Sequence, residues 1–299
     1  MKITISGASG FIGRRLLKSL GSDGHTLQVL SRHAGTNMPG NVKVWAWDPP
    51  KGEPPADALR DVDAVIHLSG EPVAQRWTEE TKQRIRESRV VGTRNLVQAL
   101  GRVGKPPATL VCASAVGYYG SRGDERLTEE SAPGTGYLPE VCQAWESEAV
   151  KAESQGIRTV RVRIGLVLDG RGGALQKMLP PFRMGVGGKL GNGKQWMSWI
   201  HLEDLVGIFR FALESTRVSG PLNGVAPYPV TNADFTRTLA SVVHRPAIFP
   251  VPGFALRLLF GEMSEVLLAS QRVLPTAVEE GGYRFQFPQL PGALADMLR

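Results

Sequence analysis

Three glycines, Gly7, Gly10 and Gly13, stand three residues apart in GASGFIG, right after the apolar run KITIS and right before a helix-like segment at Phe11. At such a junction each glycine has its own use. Gly7 turns the chain sharply out of a strand, and Gly10 lets backbone approach a pyrophosphate with no Cβ in the way. Gly13 lets the helix pack closely on a sheet. The backbone N–H groups along Ser9, Gly10, Phe11, Ile12 and Gly13 then form an anion site at the helix start. A merely tight turn is the plainer reading, and the strand–turn–helix setting at the chain's start favours the phosphate cradle over it.

The next apolar run, TLQVL, ends in Ser31-Arg32-His33. A site for NAD usually carries a carboxylate about 20 residues after the glycines, to bind the ribose 2′-hydroxyl. None stands here. A serine hydroxyl and a guanidinium suit a 2′-phosphate, because arginine pairs with phosphate through two parallel hydrogen bonds. The expected cofactor is therefore NADP(H), with Ser31 and Arg32 on its 2′-phosphate. An exposed arginine at a strand end is the plainer alternative.

These residues need a scaffold that presents strand ends side by side. KITIS, TLQVL, VKVWAW, DAVIHLS, ATLVCAS and RTVRVRIGLVL read as strands, with helix-like segments over Phe11–Leu20, Thr78–Val103 and Leu138–Ser154 between them. Nearly all-apolar strands alternating with helices predict an α/β fold: a doubly wound, parallel, Rossmann-type sheet covered on both faces. After Leu168 a Gly- and Pro-rich stretch over 169–195 reads as an excursion toward the cleft. WMSWIHLEDLVGIFRFALE returns as strand then helix, PLNGVA as a strand, and TNADFTRTLASVV as a helix capped by Thr231 or Asn232. A helix is expected near Phe254–Ser270. The expected division is a nucleotide-binding domain over 1–220 and a small C-terminal cap over 221–299.

Composition narrows the function classes. The net charge of +7 is scattered, with denser spots in KQRIRESR and RTVRVR. Neither is interleaved with stacking aromatics, so a solvated basic face is expected and no nucleic-acid partner. No run approaches the roughly 20 apolar residues a span needs, so no membrane partner is expected. Cys112 and Cys142 have no metal-site or disulfide spacing, so no metal is expected and a reducing, cytoplasmic compartment is.

GASGFIG, DAVIHLSGEPVAQRW, SAVGYYG and WIHLEDL together resemble the extended short-chain dehydrogenase/reductase superfamily of NAD-dependent epimerase/dehydratase type. The closer resemblance is to its epimerase-family branch, which ends in a small domain of unknown function. MLPPFRMGVGGKLGNGKQWMSWIH and LASQRVLPTAVEEGGYRF are similar to that branch, so the likeness runs along essentially the whole chain. It implies a substrate cleft between the two parts. It also implies that Leu68, Ser69 and Gly70 line the adenosine and ribose, that Arg89 adds a polar contact, and that Gly165-Leu166-Val167 lies near the nicotinamide.

The chemistry of that superfamily normally rests on Tyr-x-x-x-Lys and a serine. No tyrosine here has a lysine four residues on. Tyr137 opens the appropriate helix, yet Val141 stands one turn later. Ser114 resembles the catalytic serine, and Tyr118 follows closely enough to reach the cleft, as does Tyr119. An aromatic pair packed at a glycine-rich turn is the structural alternative for the tyrosines. Glu71 and His201 are further candidate acid–base groups, with a surface carboxylate and a satisfied strand-end histidine as their plainer readings. Trp196, Trp199, Met178 and Phe182 line a pocket or simply fill core. The expected function is an NADP-dependent oxidoreductase or epimerase-like enzyme acting on an unidentified small molecule, with Ser114 and Tyr118 as catalytic candidates. The alternative is a non-catalytic NADP(H)-binding regulatory or redox-sensing protein, linked to cell division.

Overall fold

The computed structural model describes residues 1–33, 35, 38 and 42–299. β1 (Lys2–Ser6) runs through the glycine turn into α1 (Phe11–Ser22), followed by β2 (Thr26–Ser31), β3 (Lys43–Ala46), β4 (Ala64–His67), α2 (Glu79–Leu100) and β5 (Thr109–Ala115). Next come β6 (Arg126–Leu127), α3 (Tyr137–Val150), β7 (Arg158–Ile164), β8 (Leu166–Asp169) and α4 (Gly173–Arg183). β9 (Trp196–Met197), β10 (Trp199–His201), α5 (Leu202–Glu214), β11 (Gly220–Gly224), β12 (Val230–Thr231) and α6 (Asn232–Val242) follow. The chain closes with α7 (Gly253–Phe260), α8 (Ser264–Leu268), β13 (Arg272–Val273), α9 (Thr276–Glu280) and α10 (Leu290–Met297).

Seven strands form one parallel sheet in the order β11-β7-β5-β4-β1-β2-β3. The chain winds outward from β1 to β3, then returns beside β1 and winds the other way. The order therefore reverses between β1 and β4, and their carboxyl ends open a crevice. Successive side chains of each strand face opposite layers. Ile3, Ile5 and Ile66 pack with Leu16 and Leu20 of α1 and Phe209 of α5. On the other side, Leu30, Val65 and Leu110 pack with Leu96 and Leu100 of α2. Burial on both faces explains why these strands read as almost unbroken apolar runs.

Three expectations change. The run RTVRVRIGLVL is two strands rather than one. A Cβ on Gly165 would stand 2.4 Å from the Ser198 carbonyl oxygen, so the chain leaves the sheet there and β8 pairs with β10 instead. Gly165-Leu166-Val167 is thus largely strand, not loop. The helix expected near Phe254–Ser270 breaks at Gly261, whose φ of +58° ends α7. The 169–195 excursion contains a helix of its own, α4. Thr231 caps α6 as expected, accepting from the Asp234 N–H at 3.1 Å.

The C-terminal residues pack in two places. Leu175, Leu179, Phe182, Trp199, Phe235 and Leu294 share a third core. Val278 returns to the sheet-side core. There the buried Asp204 carboxylate accepts from Tyr283 Oη at 3.1 Å and from the Gln286 and Phe287 N–H groups at 2.7 and 2.8 Å.

Candidate functional site

The crevice is built from glycines outward. Gly7 has φ +73°, and a Cβ there would stand 2.7 Å from the Leu68 carbonyl carbon and 2.8 Å from Ser69 N. The first glycine therefore makes the turn and also lets the end of β4 close against it, which places Leu68 and Ser69 beside the turn. A Cβ on Gly13 would stand 2.3 Å from Gly7 O and 2.6 Å from Ala8 Cα. Its close packing is against the turn itself, rather than the sheet. Gly10 differs: its Cβ would meet only Gly7 O, at 3.2 Å, and is otherwise open. No side chain caps α1 at Gly10, so the N–H groups of its first turn face that open space with exposed Ser9 at the edge. Phe11 leaves that space sideways and packs against Gly172 and Gly173, and the Val167 carbonyl lies at the same turn. Val167 is thus brought to the glycine motif, while Ile12 packs into the sheet core behind it.

Beneath the crevice lies a polar chain that sequence reasoning missed. Ser6 Oγ is 2.6 Å from His67 Nδ1, and His67 Nε2 is 3.1 Å from Thr93 Oγ1. Burial pushes His67 down to about 4, so the ring is a neutral spacer joining β1, β4 and α2. At the rim, the Arg89 guanidinium passes under Gly70, where a Cβ would stand 3.1 Å from Arg89 Cζ. Arg89 donates to the carbonyls of Glu71 (2.9 Å) and Ile85 (3.1 Å) and lies over the Trp145 ring. Among the described residues no carboxylate forms an ion pair with it. Burial lowers its pKa, the mark of a cation held without full compensation. On the far side, Ser31 ends β2 and Arg32 is exposed just beyond it.

Ser114 and Tyr118 sit over a buried charge network. Ser114 Oγ donates to Glu146 Oε1 at 2.7 Å. Arg163 grips the same carboxylate with two bonds of 2.8 and 2.9 Å and also donates to Tyr119 Oη at 2.9 Å. Tyr119 in turn donates to Asn223 Oδ1 at 2.8 Å. Tyr119 is therefore a structural member, and burial raises its phenol to about 12. The Arg163 guanidinium carbon stands 3.5 Å from the Tyr118 ring centroid, and the Tyr118 hydroxyl makes no hydrogen bond among the described residues. Ser114's proton is committed to Glu146, leaving its lone pairs to accept.

The remaining candidates have structural duties. Tyr137 donates to the Lys82 carbonyl at 2.5 Å and meets Trp77 edge-on. His201 caps α5 by accepting from the Glu203 N–H at 3.1 Å, and stacks on Phe287. Glu71 is half-buried, and its N–H is held by Ser88 Oγ at 2.9 Å. Trp199 and Phe182 are core, with Met178 packed against them. Trp196 instead lies near the surface, donating to Asp124 Oδ1 at 2.7 Å with Arg272 over its ring. Beside it a cavity of about 420 Å³ is lined by Asp124, Asn192, Lys194, Gln195 and Ser270 together with Leu268.

A doubly wound parallel sheet with a glycine turn at its first strand end is a likeness of fold; sequence comparison supplies the kinship. The profile of the NAD dependent epimerase/dehydratase family matches residues 3–223. The chain belongs to that family. A second profile, a domain of unknown function (DUF1731), matches residues 251–297. Epimerase family protein Mb2239 of Mycobacterium bovis is 42% identical over 98% of this chain and 96% of its own. Epimerase family protein YfhF of Bacillus subtilis is 39% identical over 100% and 98%. The crystal structure of the human epimerase family protein SDR39U1 (isoform 2) with NADPH has a TM-score of 0.90, at 33% identity over 99% of both chains.

Within this epimerase-family frame, the Rossmann-type crevice brings together Gly7, Ser9, Gly10, Gly13, Leu68, Ser69, Gly70, Arg89 and Val167. Ser114 lies at the next strand end along, on β5, and Tyr118 in the helical turn that follows it. The sequence signal for the missed network was present in RTVRVRI. A strand flanked on both sides by other strands cannot readily hide Arg163 without a carboxylate, and of the two buried acids of α3, Glu146 and Glu148, it is Glu146 that meets it.

Proposed function

We propose that this epimerase-family chain is an NADP(H)-dependent oxidoreductase or epimerase-like enzyme acting on a small molecule. The observation that carries the cofactor preference is at the end of β2. Between Asp23 and Asp48 the sequence has no Asp or Glu, and Ser31-Arg32 stands where an NAD site keeps its carboxylate. The human relative crystallised with NADPH supports the same reading. The residues fit the group: Gly10 leaves open the space a Cβ would fill, and Arg89 is a cation with no ion-paired carboxylate among the described residues.

In this reading the N–H groups from Ser9 to Gly13 hold the pyrophosphate, and Arg32 with Ser31 holds the 2′-phosphate. Leu68, Ser69, Gly70 and Arg89 line the ribose side, and Val167 faces the nicotinamide. A bound nicotinamide cofactor supplies hydride transfer. The cavity beside Trp196 takes a polar substrate, with Lys194 and Asp124 as opposite charges on its wall. Tyr118 carries the acid–base role with its unshared hydroxyl, while Ser114, its proton given to Glu146, accepts a hydrogen bond from a substrate hydroxyl. The buried, unpaired Cys112 and Cys142 support a reducing, cytoplasmic setting.

One observation favours a second reading. Tyr137 is tied to the Lys82 carbonyl and Ser114 to a buried carboxylate, while the Lys82 ammonium, 5.8 Å from the Tyr137 ring centroid, is held by Glu79 and Glu262. A non-catalytic NADP(H)-binding regulator, with cell division as one context, needs neither group free. Incubating the protein with 4-deuterated NADPH and a metabolite extract separates the two. Protein-dependent deuterium in a product, abolished by Tyr118→Phe, supports the enzyme and names its substrate. Intact NADPH binding with no deuterium transferred removes the oxidoreductase reading.

A further inference from the structure

The positive charge and the exposed apolar side chains of the chain are concentrated on the same segments. Residues 170–202 and 235–261 carry eight Lys and Arg and no Asp or Glu. The whole chain has an excess of seven, so the remainder is close to neutral. The two segments also hold most of the large apolar side chains left in solvent. Phe254, Leu258 and Leu259 of α7 are 75, 79 and 65% exposed, and Met184, Ile248 and Phe249 are exposed beside them.

The exposed apolar residues and Arg183, Arg245 and Arg257 lie on neighbouring stretches of the two segments. Val251 N donates to the Lys189 carbonyl at 2.8 Å and Phe249 N to Gly187 at 3.3 Å, so 184–191 and 246–251 run side by side. α7 begins two residues later, with Leu256 as its buried anchor. Around the apolar tips stand exposed Arg183, Arg245 and Arg257, with Arg245 Nε donating to the Arg183 carbonyl at 3.2 Å. Glu262 and Glu265 lie at one edge, and Glu262 is already paired with Lys82.

We propose that this face docks the protein peripherally on an anionic lipid surface. The apolar tips protrude instead of lining a groove, which suits insertion at the boundary of headgroups and acyl chains. The arginines reach headgroup phosphates with their stems along the apolar layer. No helix among the described residues is long and apolar enough to cross a membrane, and none is needed for such contact. The expectation of no membrane partner rested on the lack of a span alone. This docking is independent of the enzymatic reading.

The test is co-sedimentation of the full chain with phosphatidylcholine vesicles, with and without phosphatidylglycerol, at low and high salt. Pelleting is expected only with phosphatidylglycerol, weakened by salt. Leu258→Ser/Leu259→Ser and Arg245→Glu/Arg257→Glu should each reduce it by about tenfold or more. Both pairs are exposed, so NADPH binding and Tm should hold; if one variant misfolds, the other still decides. No pelleting with phosphatidylglycerol overturns the proposal, as does pelleting that survives both variants. Self-association lost in the leucine variant, without vesicle binding, assigns the face to a second copy and also overturns it.

Discussion

Arg89 lies directly under Gly70, so close that a Cβ on Gly70 would stand 3.1 Å from the guanidinium carbon. A glycine here permits a half-buried cation to reach the rim of the crevice without an ion-pair partner. That is costly for the empty protein and favourable once an anion arrives. Arg89→Met should leave the Tm of the cofactor-free protein unchanged or higher. It should weaken NADPH binding by about tenfold or more, the worth of a charge-assisted hydrogen bond. Gly70→Ala should weaken binding less, because the far end of a flexible side chain can give way. Calorimetric titration and melting curves check both; a large Tm loss with affinity intact would make Arg89 structural.

Gly10 and Gly13 should separate stability from binding. A methyl on Gly13 meets backbone at 2.3 Å, which cannot move aside, and outweighs the helix propensity that alanine brings. Gly13→Ala should cost about 2 kcal/mol or more by urea unfolding. Gly10→Ala meets one atom at 3.2 Å and should change stability by less than about 1 kcal/mol. It should nevertheless abolish NADPH binding, because its methyl points into the space the pyrophosphate needs. Equal effects of the two variants on both readouts would contradict the division of labour.

The crevice could be read from the sequence because its signals are local. Strands buried on both faces must be apolar, and a glycine turn after one of them has few other uses. The departures all depend on distant residues. Gly165 leaves the sheet because of Ser198, more than 30 residues on. Tyr137 opens the helix where the superfamily's tyrosine would stand, and only the approach of Lys82 on α2 shows its hydroxyl taken. Arg163 looked like surface charge until α3 placed Glu146 opposite it. The patch of exposed apolar and basic side chains escaped notice because scattered charge was counted over the whole chain, whereas acid-free segments meet only after folding.

The Glu146–Arg163 pair is the strut under Ser114. Both side chains are almost wholly buried and joined by two bonds. Arg163→Met leaves the buried Glu146 carboxylate with only Arg161 at 4.0 Å and the Ser114 hydroxyl, and should cost about 3 kcal/mol. Adding Glu146→Gln should recover part of that loss, since the under-compensated buried charge is gone. Urea unfolding of the two single variants and the double variant gives the coupling. A double variant no more stable than Arg163→Met would show that packing, not charge, sets the loss.

His67 should give the protein an acid-sensitive arm. Its folded pKa is lowered from 6.5 to about 4 by burial alone, and both ring nitrogens have hydroxyl neighbours in Ser6 and Thr93. The unfolded chain takes up a proton near 6.5, whereas the folded one resists until about 4. Between those values the unfolded state binds more protons, so stability falls as pH falls and is steady above the window. The loss from this residue approaches about 3 kcal/mol at the acid end. His201, also lowered by burial, adds in the same direction. Unfolding free energies measured from neutral pH down to the lower pKa should show that slope. His67→Gln keeps a donor and an acceptor between Ser6 and Thr93 without a titrating ring, so its slope should be shallower. An unchanged slope would mean that other groups set the acid limit.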